Sequence, residues 1–164
     1  AFTGQYQDLG TTQPEWQNIQ RILQYRDIKT ILDTVELVNQ LGDYEIYADK
    51  MLRKVIYNLV ENSIRHGIHL SRICFSTYIL KDQLIIIYKD NGGGIAADEK
   101  EKCFKKGFGK NTGLGLFLIR EILSITSITI IENGKPGEGV RFEITVPAGN
   151  WRIINKKESA PYLC

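Results

Sequence analysis

Two asparagines and one aspartate lie where their side chains could hold a metal ion and a base. Asn58 and Asn62 are four residues apart, so on a helix their amides project from one face. Amide oxygens there are suited to a hard cation such as Mg²⁺, although a helical asparagine is also often an ordinary exposed residue. Asp90 follows an apolar run typical of a buried strand, and its carboxylate could accept a hydrogen bond from an exocyclic amine.

Glycine-rich segments accompany these side chains. Seven of the 15 glycines fall between positions 92 and 115. The three that follow Asp90 permit positive φ angles and the close approach of a flat ligand, whereas an Asn-Gly turn would account for only one of them. In segment 111–116 a glycine-rich turn opens into a helical run, so free backbone N–H groups and the helix dipole face an anion. The spacing is neither that of the P-loop nor that of the dinucleotide fingerprint, which indicates a different nucleotide-binding fold.

The hydrophobic periodicity predicts the elements that position these motifs. Asp49 caps a long helix over 50–66, whose apolar residues form one stripe. Segment 104–110 is a cationic loop between two helical stretches. The other helices are predicted at 14–26 and 114–123, and strands at 28–38, 44–48, 72–80, 84–88, 128–132 and 140–146, with a turn at 134–137 between the last two.

The order and spacing of four segments resemble the N, G1, F and G2 boxes of the GHKL ATP-binding superfamily. Within it, the catalytic domain of sensor histidine kinases is the most similar branch. The boxes correspond to segment 58–62, segment 90–95, Phe104 and segment 111–116, and the similarity extends from about Pro14 to Arg152. Each motif is weak alone, but the combination is highly specific.

The resemblance implies an α/β sandwich of the Bergerat type, with helices packed on one face of a mixed sheet. ATP is then held between the N-box helix, Asp90 and a flexible lid, with Mg²⁺ bound by Asn58 and Asn62. Asn58 and Lys110, a lid cation, are the candidates for a catalytic role. The remaining nucleotide-binding positions that the resemblance implies are Arg65, His66, Gly92, Gly94, Ile95, Phe104, Thr112, Gly113, Leu114, Gly115 and Leu116.

One position divides the superfamily by chemistry. Its ATPase branches carry a glutamate four residues before the Mg²⁺-binding asparagine, where this chain has Asn58. An amide is not a general base, so we expect phosphoryl transfer to a protein rather than rapid hydrolysis. The serine kinases that inhibit sigma factors resemble segment 65–67, but they usually carry the glutamate. A regulatory module that binds nucleotide without transferring phosphate remains the other alternative.

A histidine kinase also needs an acceptor histidine on a dimerising helical hairpin. Only His66 and His69 occur, both beside the nucleotide motif, and neither begins a His-Glu signature. We therefore expect a catalytic domain at 14–154, preceded by a linker at 1–13 and followed by a polar tail at 155–164. The expected partners are the chain's own upstream hairpin, in a homodimer, and a response regulator.

Composition and charge set limits on the function. The sum of 21 Lys+Arg minus 19 Asp+Glu is only +2, which disfavours a nucleic-acid partner. The longest apolar run, Leu84 to Tyr88, is far shorter than the roughly 18 residues of a membrane span. With 43% hydrophobic and 24% charged residues, the chain has the composition of one soluble globular domain. We expect a cytoplasmic domain that makes no contact with the membrane.

Overall fold

The computed structural model describes residues 12–106 and 115–154. Its helices are α1 (Ile19–Ile22), α2 (Arg26–Leu32), α3 (Leu52–His66) and α4 (Leu116–Ser124), with short 3₁₀ turns at Ala97–Glu99 and Lys102–Phe104. Its strands are β1 (Glu15–Gln17), β2 (Glu36–Gln40), β3 (Tyr44–Ala48), β4 (Arg72–Leu80), β5 (Gln83–Asp90), β6 (Thr129–Glu132), β7 (Arg141–Val146) and β8 (Trp151–Ile153).

The main layer is a five-stranded sheet in the order β2-β4-β5-β7-β6. β2 and β4 are parallel, while the other neighbouring pairs are antiparallel, so the sheet is mixed. Helices cover one face of this sheet, which confirms the predicted two-layer α/β architecture. β5 is the central strand of the sheet. Its last residue, Asp90, therefore lies where the middle of the sheet ends.

Helix α3 forms because its apolar residues recur at three- and four-residue steps. Val55, Ile56 and Leu59 are fully or almost fully buried against the sheet. Asp49 satisfies the helix start, since its Oδ2 atom accepts from the backbone N–H of Met51 at 2.9 Å. The long helix predicted over 50–66 is confirmed, with its start at residue 52.

The N-terminal prediction of one helix over 14–26 is wrong. Trp16 lies in β1, directly opposite Tyr47 of β3. α1 is a single turn, and the Asn18 side chain at its start accepts from the backbone N–H of Gln20. The strand predicted over 28–38 is also wrong in its first half. Ile28 and Leu32 are one helical turn apart and are both buried, so this part of the run forms α2.

A second, three-stranded sheet of order β1-β3-β8 was not predicted. β8 follows the last predicted strand and pairs with β3 rather than with the main sheet. Arg152 joins its strands, because its Nε atom donates to Glu45 at 2.6 Å and its guanidinium lies 4.1 Å from the centre of the Trp16 ring. Across residues 12–106 and 115–154, no helix combines the length and the apolar character that crossing a membrane requires.

Candidate functional site

The buried carboxylate of Asp90 is held by donors from three separate segments. Its Oδ1 atom accepts from the backbone N–H groups of Gly92 and Val140, each at 3.0 Å. Its Oδ2 atom accepts from the hydroxyl of Ser63 on α3 at 2.6 Å. These contacts fix the plane of the carboxylate, so Asp90 offers an oriented acceptor, as an exocyclic amine requires.

Tyr88 lies two residues before Asp90 and supports the same contact between α3 and β5. Its hydroxyl is 2.6 Å from Ser63 Oγ and donates to the carbonyl of Leu59 at 3.0 Å. Burial raises the pKa of Tyr88 far above its ordinary value, so its hydroxyl stays protonated and able to donate. Neither Ser63 nor Tyr88 is among the site residues predicted from the sequence. Tyr88 shares the strand face of Asp90, which is the only local signal that could have identified it.

The turn after Asp90 needs its glycines for two different reasons. A Cβ atom on Gly92 would lie 2.9 Å from the Cα atom of Gly67, so the α3–β4 loop approaches too closely for a side chain. Gly94 has a φ angle of +74°, which favours glycine, and its Cβ would lie 2.8 Å from the carbonyl oxygen of Gly139. The positive φ angle predicted for this turn is found at Gly94, and both close contacts are made with the chain's own backbone. The close approach of a flat ligand stays a prediction.

The β6–β7 turn forms another wall of the site, which sequence reasoning treated only as a connection. Gly139 has a φ angle of +104°, and a Cβ there would lie 1.9 Å from the carbonyl oxygen of Asp90. Farther along the turn, the backbone N–H of Gly137 donates to the carbonyl of Gly93 at 2.9 Å. Two glycine-rich turns that are distant in sequence therefore pack backbone against backbone beside the Asp90 carboxylate.

The two asparagines lie one turn apart on α3, as predicted, but in different environments. Asn58 is buried, and its Nδ2 atom donates to the carbonyl of Lys54 at 2.8 Å. Asn62 is half-buried and directly precedes Ser63. Arg65 forms an ion pair with Glu61 on the helix surface. His66 is the exposed last residue of α3. It directly precedes Gly67, whose backbone lies against Gly92.

Phe104 is buried in the core rather than exposed at a cleft. Its ring packs edge-on against Phe142, with the ring centres 6.3 Å apart, and the Arg120 guanidinium lies 4.0 Å from its ring centre. Between the two 3₁₀ turns, Lys100 forms an ion pair with the fully buried carboxylate of Glu132. The segment that precedes the predicted lid is thus fixed to the sheet and to α4.

The remaining predicted positions divide between described and undescribed parts of the chain. Ile95 is half-buried and packs against the core. Gly115 is exposed at the start of α4, where its carbonyl accepts from Leu118 and Ile119, and Leu116 is half-buried in the first turn. The predicted lid residue and G2-box residues outside the described segments are Lys110, Thr112, Gly113 and Leu114.

Comparison with known proteins defines the family. Residues 48–150, more than half of the chain, match the model of the histidine kinase-, DNA gyrase B- and HSP90-like ATPases. The chain belongs to this family, which confirms the resemblance read from the four boxes. The match includes every one of the predicted nucleotide-binding positions.

Within the family, curated sensor kinases are similar to the chain. It is 32% identical over 124 residues to the alginate biosynthesis sensor protein KinB of Pseudomonas aeruginosa, covering 69% of this chain and 20% of that protein. It is 30% identical over 117 residues to the sensor histidine kinase YxdK of Bacillus subtilis, covering 64% of this chain and 36% of that protein. The chain thus spans only part of the length of the curated relatives that it matches.

Solved structures share the fold. The mycobacterial sensor histidine kinase MprB aligns with a TM-score of 0.70 at 16% identity, over 82% of this chain and 97% of that chain. The ATP-binding domain of PrrB from Mycobacterium tuberculosis aligns with a TM-score of 0.68 at 20% identity, over 84% and 98%. Full-length ShkA in complex with AMPPNP aligns with a TM-score of 0.66 at 16% identity, over 82% and 31%.

Proposed function

We propose that this domain binds Mg-ATP and transfers the γ-phosphate to a histidine on a separate dimerisation domain of a two-component sensor kinase. The observation that carries the proposal is the Asp90 carboxylate, buried at the end of the central strand and oriented by three donors. An oriented acceptor between close-packed glycine turns suits the amine edge of adenine. The ATP-binding character of the family agrees with this assignment.

Asn58 and Asn62 are the residues proposed to hold Mg²⁺ with the phosphates. Within the described parts of the chain, no group of three or more His, Cys, Asp or Glu side chains is placed to hold a metal. Amide oxygens and phosphate oxygens are hard ligands, and Mg²⁺ in nucleotide sites takes few protein ligands beside the phosphates. When bound, the ion would neutralise charge on the phosphate oxygens, which favours attack of the acceptor on the γ-phosphorus and departure of ADP.

The residues near the phosphate end favour transfer over hydrolysis. Asn58 occupies the place of the ATPase glutamate, and its amide donates to Lys54 rather than offering a base to water. Glu61, the nearest carboxylate along α3, is engaged by Arg65 on the helix surface. A protein acceptor that brings its own basic histidine needs no such base from this domain.

The partners of the proposed reaction belong to the rest of a sensor kinase. The chain covers 20% of KinB and 36% of YxdK, so most of each relative lies outside the matched region. We propose that an upstream helical hairpin, dimeric in the full protein, supplies the acceptor histidine, and that a response regulator receives the phosphate. We place this domain on the cytoplasmic side, where ATP is available.

The test is a transfer assay with γ-labelled ATP, Mg²⁺ and the separately produced upstream hairpin of the parent protein. Label should appear on the hairpin as an acid-labile, base-stable phosphohistidine, at a low rate because the tether is lost. A hairpin with its histidine replaced by alanine is the control and should stay unlabelled. Acid-stable label on an added serine-bearing partner would identify a serine kinase instead. Nucleotide binding with no transfer to any hairpin would identify a regulatory module.

A further inference from the structure

Two buried hydroxyls lie directly behind the Asp90 carboxylate, outside the four sequence boxes. Ser63 Oγ lies 2.6 Å from Asp90 Oδ2 and 2.6 Å from Tyr88 Oη. Both residues are buried, with 5% of Ser63 and none of Tyr88 exposed. The three side chains form a continuous hydrogen-bonded row from the strand interior to the site.

The direction of this row follows from counting protons. An ionised carboxylate only accepts, so the single hydroxyl hydrogen of Ser63 points to Asp90. Ser63 Oγ then has only acceptor capacity left for Tyr88, whose single hydrogen is shared between Ser63 Oγ at 2.6 Å and the Leu59 carbonyl at 3.0 Å, and the shorter distance marks Ser63 as the main acceptor. Two hydroxyl hydrogens thus serve three acceptors, and the order of donation is Tyr88 to Ser63 to Asp90.

This order leaves a defined acceptor site on Asp90. A carboxylate offers about four lone-pair sites. Among the residues that the structure describes, Gly92, Val140 and Ser63 fill three of them. The site that remains is on Oδ2, the oxygen bound by Ser63, since Oδ1 already accepts two backbone donors. By occupying one lone pair of Oδ2, the Ser63 hydroxyl determines which lone pair remains for a ligand.

We infer that Tyr88 and Ser63 act as a hydroxyl relay that positions Asp90 for a purine bearing an exocyclic amine, and so set the base specificity of the site. The inference rests on the proposed ATP-binding function and extends it. Both residues are positioning residues, because they act on the ligand only through Asp90. A row of linked hydrogen bonds in a buried site is polarised along its length, which strengthens the donation from Ser63 that holds Asp90 Oδ2 in position.

The experiment compares two nucleotides that differ only by the amine. The dissociation constants of Mg-ATP and of purine riboside triphosphate, which lacks the 6-amino group, are measured by calorimetry. The unmutated chain should prefer ATP about tenfold or more, the size of one hydrogen bond to a charged group. Ser63→Ala should reduce this preference about threefold or more, with the affinity for the amine-free analogue unchanged.

Tyr88→Phe removes the first hydroxyl of the relay and keeps the Ser63 hydroxyl. It keeps the aromatic ring that packs edge-on against Phe75, with the ring centres 5.1 Å apart. Its preference for ATP should fall less than that of Ser63→Ala, because Ser63 can still donate to Asp90. The double variant should match Ser63→Ala alone, since Tyr88 acts through the hydroxyl that has been removed. Additive losses would overturn the relay.

Ser76→Ala is the matched control. Ser76 is a fully buried serine of β4 whose hydroxyl has no hydrogen-bond partner within the described part of the chain. It should keep the full preference for ATP. Equal weakening of both nucleotides by Ser63→Ala and by Tyr88→Phe would show a merely structural role and overturn the inference.

Failure of the inference is distinguishable from failure of the proposed function. If the unmutated chain binds neither triphosphate, the nucleotide-binding proposal itself fails. If it prefers ATP and both single variants retain that preference, only the relay fails. If Ser63→Ala does not fold, Tyr88→Phe still tests the relay. A partial loss of the preference for ATP in this variant would support the relay, and an unchanged preference would show that Asp90 is held without it.

Discussion

The carboxylate of Asp90 depends on residues that are far from it in sequence. Ser63 precedes it by 27 positions and Val140 follows it by 50, and each places one donor on a different oxygen. A buried carboxylate without such donors would be strongly destabilising, so the site requires these contacts before any ligand binds. Changes at this residue therefore test recognition and stability at once, and the two effects need separate measurements.

We expect Asp90→Asn to weaken the binding of ATP and to favour the binding of a purine with a carbonyl at position 6. The amide keeps one acceptor, which suits the Gly92 and Val140 N–H groups, and turns its NH₂ towards Ser63 and the ligand. Two donors then face each other, so ATP affinity should fall about tenfold or more while inosine triphosphate is unaffected or improved. Calorimetric titration of both nucleotides measures this. Asp33→Asn, an exposed carboxylate after α2, is the control. Unchanged ATP affinity would contradict the role given to Asp90.

Asn62→Ala should weaken the binding of the Mg²⁺-bound phosphates without weakening the binding of the adenine base. Because the change removes a proposed Mg²⁺ ligand and leaves Asp90 intact, ATP affinity in the presence of Mg²⁺ should fall several-fold, while adenosine affinity stays the same. Titrations with and without Mg²⁺ check this, with Asn39→Ala on β2 as an exposed control. Equal losses for ATP and adenosine would instead mark Asn62 as a structural residue.

Asp90 and the two asparagines could be proposed as site residues from the sequence because their signals are local. A polar residue after an apolar strand and two amides at helical spacing are visible within a few positions. Ser63 could not be distinguished from any small helix residue, since only the fold brings Tyr88 to it. Gly139 lies just beyond the turn predicted at 134–137 and has no local signal of its own, because the backbone of Asp90 that excludes its side chain is distant in sequence.

At the scale of elements, the β6–β7 turn is as much a part of the site as the turn after Asp90. Gly94 and Gly139 join them, because a Cβ on Gly94 would meet the backbone of Gly139 and a Cβ on Gly139 would meet the backbone of Asp90. The main sheet aligns them, since β5 and β7 are neighbours with Lys89 opposite Arg141. The two turns are therefore one structural unit, although they are separated by about 40 residues in the chain.

Gly139→Ala should show this dependence. Its positive φ angle costs about 1–2 kcal/mol for any residue with a side chain, and the contact of a Cβ with Asp90 adds about 1–3 kcal/mol. Gly149→Ala is a matched control, because its φ angle is +89° but no atom lies within 4 Å of the added Cβ. Denaturant unfolding should give a larger loss for Gly139→Ala, together with weaker ATP binding. Equal losses for the two variants would mean that the turns are not packed together.

Element prediction succeeded where periodicity and burial agreed. α3 has buried residues at helical steps and was predicted to within two residues of its start. The segment before β2 failed because a run rich in apolar residues fits either a buried strand or a helix, and its short length left the periodicity unresolved. β1 and β8 could not be predicted, because a strand of three residues has too few positions to show an alternating pattern. Their pairing with β3 depends on tertiary structure.

At the scale of the whole molecule, a binding site and a reaction are separable. The fold supplies an oriented hydrogen-bond acceptor for a purine, two glycine turns and a helix bearing amides. None of these groups is a general base that could activate water. The two histidines of the chain, His66 at the end of α3 and His69 in the following loop, are exposed and lie beside the nucleotide motif. The proposed transfer reaction therefore requires an acceptor from another domain.

Alone with γ-labelled Mg-ATP, the chain should neither hydrolyse the nucleotide rapidly nor become labelled, although ATP should raise its melting temperature because it binds the native state. Asn58→Glu should increase hydrolysis, since it places a carboxylate where the ATPase branches have their base. Asn58→Gln is the control, because it extends the side chain equally without adding a base. Release of labelled phosphate and label retained on the protein are the two measurements. Brisk turnover by the unmutated chain would assign it to the ATPase branch, and equal rates for the two variants would show that a carboxylate at this position does not activate water.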